Sequence, residues 1–110
     1  MAALNQCYKS GAVGCGWNDT NYRSSFYAIP QQDPPSPFRN YSKSACSNPL
    51  FHYAARNKFS SYRNNTIWTQ TLYTKPWFRG RWESMKGQTN YPRLRFNNNH
   101  ESMRGFCSDL

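Results

Sequence analysis

The sequence predicts a mostly irregular, extended chain with one or two short helices and no autonomous core, ordered by the assembly it joins. Two compositional observations point there. Leu, Ile and Val number only eight among 110 residues, and the seven Phe raise the total to 15. That is below the one-fifth level that usually accompanies independent folding. Such a chain buries too little apolar surface to offset an ordering entropy of about 1.5 kcal/mol per residue. The hydrophobic share of 37% comes largely from 7 Phe, 8 Tyr and 4 Trp. Disordered tails are poor in aromatics. These rings would cover on the order of 3,000 Å², more than a standard protein interface, so the composition implies a binding chain.

Along the sequence, residues 1–110 read as a single non-globular chain in three parts. Residues 1–28 are rich in Gly, Ala and Asn and form an N-terminal arm. Residues 29–37, IPQQDPPSP, hold four of the seven prolines and form an extended linker. Residues 38–110 form an aromatic and basic binding segment. Within it Ser47 or Asn48 caps a short helix near 49–59, with Pro49 at the first helical position. Leu50, Tyr53 and Ala54 make its narrow apolar stripe. Thr66 to Tyr73, TIWTQTLY, is dense in β-branched and aromatic residues and predicts a strand. Trp77 to Lys86 predicts a second short helix stopped at Gly87. Asn97 to Asn99 with Glu101 start a last helical turn ending near Gly105.

The net charge of +9, from 14 basic and 5 acidic residues, calls for an acidic partner. No two basic residues are adjacent, whereas nucleic-acid tails usually carry basic runs, so the partner expected is a protein surface. Cys7, Cys15, Cys46 and Cys107 form no CxxC pair and give no zinc spacing. The N-terminus lacks the apolar region of a signal peptide, so the thiols are expected reduced, in a cytosolic compartment, despite sequons at Asn18, Asn40 and Asn64. No stretch approaches the roughly 18 apolar residues that cross a bilayer, so no membrane is expected as a partner. With three Asp, two Glu and two His, no catalytic constellation, phosphate loop, metal site or cofactor site emerges. The chain reads as no enzyme.

Candidate binding residues come from a recurring dipeptide of a ring followed by Arg: Tyr22-Arg23, Phe38-Arg39, Tyr62-Arg63 and Phe78-Arg79. The rings lie 16, 24 and 16 residues apart, all multiples of eight. A ring supplies area at low entropic cost, and the adjacent Arg supplies a planar fork for carboxylates. The segment Lys75 to Trp82, KPWFRGRW, adds Trp77 and Trp82, residues of the types enriched at binding hot spots.

The segments YRSS, FRNY and YRNN, on a short, basic, Pro- and Asn-punctuated chain, resemble those of the microtubule inner proteins of ciliary and flagellar axonemes. Asn57-Lys58-Phe59-Ser60 followed by Arg63-Asn64-Asn65-Thr66 is similar to a segment of the piercer family of such proteins. The resemblance implies a thread-like structural protein on the luminal wall of axonemal doublet microtubules, stabilising them in cilia or sperm flagella. Its implied partners are the tubulin lattice and neighbouring inner proteins or tektins. Its implied location is the cytoplasm, within the axonemal cytoskeleton. The alternative is a nucleic-acid-binding component of a ribonucleoprotein, in which Arg neutralises the backbone and rings stack on bases.

Overall fold

A computed structural model describes residues 2–30 and 47–105. It overturns the expectation of a coil-rich thread, because seven strands of the described chain pair into two antiparallel sheets. Helix α1 (Ala2–Lys9) precedes a hairpin of β1 (Gly14–Asp19) and β2 (Arg23–Ile29). Then come β3 (Ser61–Asn64), β4 (Gln70–Lys75), β5 (Arg79–Met85), β6 (Asn90–Tyr91) and β7 (Ser102–Arg104). The first sheet has the order β2-β1-β3-β6 and the second β5-β4-β7. The radius of gyration is 12.7 Å, against about 13 Å for a folded chain of this length and about 30 Å for an unfolded one.

The core explains why aliphatic scarcity was misleading. Ile29, Phe51, Phe59, Tyr62, Leu72, Met85 and Met103 join residues of both sheets in one buried cluster. A second cluster sets Leu4, Cys7 and Cys15 against Trp17. Rings and methionines therefore fill the volume that Leu and Val usually fill. Buried polar side chains fill the rest, and nearly all are bonded, with Arg56 Nε and His100 Nδ1 the buried nitrogens left without a partner among the described residues. The Tyr62 hydroxyl donates to Gln70 Oε1 at 2.7 Å, and Gln70 Nε2 donates to the Val13 carbonyl at 2.9 Å. That pair ties the first sheet to the second, and burial pushes the Tyr62 phenol well above its ordinary pKa.

The two sheets contain two copies of one unit, 56 residues apart in their hairpins. In the first, β1 pairs with β2 in one direction and β3 in the other. In the second, β4 pairs likewise with β5 and β7. The pattern Trp17-x4-Tyr22-x-Ser24 returns as Tyr73-x4-Phe78-x-Gly80. Asn21, Tyr22 and Ser24 have φ of 59°, 60° and 67°, and Trp77, Phe78 and Gly80 have 60°, 61° and 82°. A left-handed aromatic residue is costly, by roughly 1–3 kcal/mol, so each turn needs a clamp. Tyr22 N–H donates to Ser61 Oγ at 3.0 Å, and that hydroxyl donates to the Asp19 carbonyl at 2.8 Å. Phe78 N–H donates to Ser102 Oγ at 3.2 Å, and that hydroxyl donates to the Lys75 carbonyl at 2.6 Å. The rings complete the clamp: Tyr22 packs edge-on to Trp17 at 5.2 Å, and Phe78 edge-on to Tyr73 at 5.9 Å. Gly80→Ala tests the second turn. Its Cβ would meet Thr74 Oγ1 at 2.5 Å at a φ of +82°, so a loss of about 1–3 kcal/mol is expected in urea unfolding.

Several local expectations are corrected by this framework. The helix near 49–59 does not form. Asn48 exchanges two backbone hydrogen bonds with Met103, Phe51 N–H donates to the Glu101 carbonyl and Asn57 N–H to the His100 carbonyl. Those long-range bonds override the cap and Pro49 signals, leaving only a turn over 53–57. Trp77 to Lys86 is a turn and then β5, because left-handed Trp77 and Phe78 cannot propagate a helix. Residues 95–98 form a turn, and Ser102–Arg104 then pairs with β4. The strand expected over 66–73 starts later, at Gln70. The N-terminal arm holds α1 and the first hairpin, and a disulfide joins Cys7 to Cys15 with Cα atoms 6.0 Å apart, correcting the expectation of reduced thiols there. Residues 31–46, which include most of the Pro-rich linker, Phe38, Arg39 and Cys46, lie outside the described residues, as does Cys107.

Candidate functional site

The loop between β3 and β4 combines a pinned backbone with displayed apolar side chains. Its anchor is Asn64, at the end of β3 and fully buried. Asn64 Nδ2 donates to the Trp68 carbonyl at 2.8 Å and the Met85 carbonyl at 2.9 Å. Its Oδ1 accepts the Thr66 N–H at 2.9 Å and the Thr66 hydroxyl at 2.7 Å. One Asn side chain thus satisfies all four of its hydrogen-bonding positions, three within the loop and one at the end of β5. Asn65 holds the other flank, donating through Nδ2 to the carbonyls of Cys7 at 3.0 Å and Ala12 at 3.1 Å. The loop is thereby tied to the disulfide-linked N-terminal segment.

From beneath, Gln88 N–H donates to the Thr66 carbonyl at 2.8 Å. Gly87 packs so closely under the Ile67 carbonyl that a Cβ there would collide with it. Between these restraints Ile67 is 55% exposed and Trp68 42% exposed. A pinned loop has already lost most of the roughly 1–2 kcal/mol per residue of backbone freedom that binding would otherwise remove. Its two large side chains are therefore ready to enter the pockets of a partner. Gly87→Ala should displace the Ile67 carbonyl and weaken the loop restraint, with amide exchange at 66–68 rising while β1 and β3 stay protected.

The residues singled out from sequence fall elsewhere. Tyr22, Trp77 and Phe78 form the two hairpin turns and are half-buried, while Arg23 and Arg79 are exposed on the strands that follow. The Tyr22 phenol is raised by burial first and by Tyr8 second, against a lowering influence from Arg63. Tyr62 is wholly inside the core and offers a partner no surface. Arg63 lies over the Tyr8 ring at 4.9 Å and bonds Asn65 and Asn90. Trp82 is 60% exposed on β5. The structure therefore uses Tyr22-Arg23 and Phe78-Arg79 as equivalent turns of a repeated unit and does not line the described ring–Arg pairs along one track. Sequence reasoning missed Asn64, Ile67 and Trp68. The signal was present, since an apolar Ile-Trp pair directly after an Asn-Asn-Thr turn does not continue the β3 pattern.

One acid–base pair is structural. Glu83 on β5 accepts Arg95 N–H at 2.9 Å, Phe96 N–H at 3.0 Å and His100 Nε2 at 2.7 Å. Burial alone would raise its carboxyl pKa, but the hydrogen bonds and the nearby His100 outweigh it, so the net shift is downward. A depressed folded pKa contributes stability above the unfolded value and loses it as pH falls through the folded one. Thermal stability should therefore drop on acidification below about pH 4, and Glu83→Gln should flatten that drop. Among the described residues no group of three or more His, Cys, Asp or Glu could hold a metal, and no helix is long and apolar enough to cross a membrane.

The two antiparallel sheets place the chain in the βγ-crystallin fold class, on its likeness to solved structures. The chain is similar to a βγ-crystallin domain studied for the evolution of the eye lens fold, with a TM-score of 0.67 at 10% identity over 87% of this chain and 86% of that one. It is also similar to a βγ-crystallin from Ciona intestinalis, with a TM-score of 0.60 at 12% identity over 82% and 94%. A βγ-crystallin from an archaeon gives 0.60 at 15% identity over 83% and 93%. Identities this low establish the fold alone. The family comes from the sequence: residues 2–85 match the model of peptidase inhibitor family I36, and the chain belongs to that family. No curated protein matches it.

These findings overturn the resemblance to microtubule inner proteins and to the piercer family. With it go the tubulin and tektin partners and the cilium, flagellum and axoneme. They equally give no support to the nucleic-acid alternative. The structural reason is that YRSS and YRNN, read as surface anchors, are turn and core-strand segments of a β-sandwich.

Proposed function

We propose that this chain is a stoichiometric peptidase inhibitor that presents the Ile67–Trp68 loop to the substrate cleft of its target and performs no catalysis itself. Membership of an inhibitor family supports the peptidase as partner. The observation that carries the choice of loop is the Asn64 network, which fixes the backbone of 64–68 while leaving Ile67 and Trp68 outside. A segment that is restrained before binding behaves as a poor substrate and a good occupant. The two side chains would fill neighbouring apolar subsites, and the loop's flanks would extend the contact toward the roughly 800 Å² per partner of a standard interface. The Cys7–Cys15 disulfide suits an oxidising compartment.

The test is a titration of the oxidised protein against serine, cysteine, aspartic and metallo peptidases. Competitive, saturable inhibition of at least one class is expected, with Trp68→Ala weakening it about 30-fold, the equivalent of roughly 2 kcal/mol. Absence of inhibition across all four classes would overturn the proposal.

A further inference from the structure

We infer that the cleft between β5 and the 94–97 loop, on the second sheet, binds the carboxylates of an acidic polypeptide segment. β5 is an edge strand of its sheet, and Arg79, Gly80, Arg81 and Trp82 are all exposed along it. Opposite them Arg95 and Phe96 complete the cleft. The Phe96 ring sits beneath two guanidiniums at once, Arg81 at 5.9 Å and Arg95 at 5.4 Å from its centroid. A ring face orients a guanidinium without using its N–H donors. Among the described residues no carboxylate meets either fork. The one acid in the cleft, Glu83, is engaged through both oxygens by two backbone amides and His100.

Two cations held against one ring repel each other, and a bound anion relieves that repulsion. Each fork can take a carboxylate bidentately. Trp82, 60% exposed beside them, adds the ring that interfaces bury at their energetic centre. Arginines on an edge strand also discourage pairing with a second copy. That role alone accounts for the charges but not for an exposed tryptophan next to Arg81. An open cleft with separated cations suits successive acidic side chains on an extended segment. This inference does not rest on the inhibitor proposal, because it involves no residue of the Ile67–Trp68 loop.

The experiment uses a hexaglutamate peptide as probe, added to the oxidised full-length protein and followed by amide chemical shifts. Shifts should concentrate at Arg81, Trp82, Arg95 and Phe96. Raising salt from roughly 0.01 M to 1 M, which shortens the screening length from about 30 to 3 Å, should abolish them. Arg81→Gln with Arg95→Gln should weaken binding about tenfold, while Trp68→Ala leaves it unchanged. Both arginines are exposed, so the double variant should unfold at the same urea concentration as wild type. Equal binding by that variant, or shifts centred elsewhere, would overturn the inference. So would binding of a sulfated hexasaccharide without binding of hexaglutamate, which would assign the cleft to a polysaccharide.

Discussion

Asn64→Ala should cost about 2–4 kcal/mol of stability and abolish tight inhibition together. The side chain is fully buried and makes four hydrogen bonds: two given to the Trp68 and Met85 carbonyls and two accepted from Thr66. Truncation leaves those groups without their partner, and each unsatisfied buried polar group costs about 1–3 kcal/mol. Loop relaxation that lets water reach the Trp68 carbonyl reduces the sum, which sets the upper figure. The inhibitory effect has a separate origin. Without Asn64 the loop regains backbone freedom, and binding must remove it again. Urea unfolding gives the first effect and inhibition kinetics the second. Thr66→Val should reproduce part of both, because its hydroxyl lies 2.7 Å from Asn64 Oδ1 and 2.9 Å from the Trp68 carbonyl. An Asn64→Ala variant that inhibits as tightly as wild type would show that the loop needs no restraint.

Phe59→Ala should cost about 3–5 kcal/mol, a large share of the 5–15 kcal/mol typical of a whole domain. The ring is fully buried and packs against Phe51 at 5.4 Å, Tyr27 at 5.9 Å and Tyr62 at 6.0 Å. It also lies where a side chain at position 16 would be, so that only Gly16 fits beneath it. Removing the ring opens a cavity between both sheets that neither can close alone. As control, Tyr53→Ala, at a side chain 74% exposed, should stay within about 0.5 kcal/mol. Both are read from one cooperative urea transition. The absence of such a transition in the wild type would support a chain without a core of its own.

What the sequence revealed was local, and what it hid was pairing. The dense β-branched run at 66–73 does lead into β4, displaced because Asn64 draws Thr66 to Trp68 into a loop. Tyr22-Arg23 and Phe78-Arg79 were visible as related dipeptides. Their relation is the 56-residue interval of Trp17-x4-Tyr22-x-Ser24 and Tyr73-x4-Phe78-x-Gly80, a repeat that signals duplicated architecture. The serines that clamp these turns, Ser61 and Ser102, lie 39 and 24 residues beyond Tyr22 and Phe78, so no local pattern exposes them. Counting aliphatic residues failed for a definite reason. Trp17, Phe51, Phe59 and Tyr62 supply the interior, and Asn64, Gln70, Ser61 and His100 are buried polar groups that composition scores as surface. The cap and Pro49 near the expected helix are real local preferences, overridden by the bonds from Asn48 and Phe51 to the segment around β7.

Hydrogen exchange on the complex with an inhibited peptidase reads out whether the pinned 66–69 loop makes the inhibitory contact. In the free protein the amides of 66–69 should exchange more slowly than those of an unrestrained surface loop, because the backbone is already held. On binding, the added protection should concentrate at residues 66–69, with smaller changes at Gly87 and Gln88 beneath. Protection confined to the hairpin turns at Asn21–Tyr22 and Trp77–Phe78, with the 66–69 amides unchanged, would contradict the account and move the inhibitory contact to the turns.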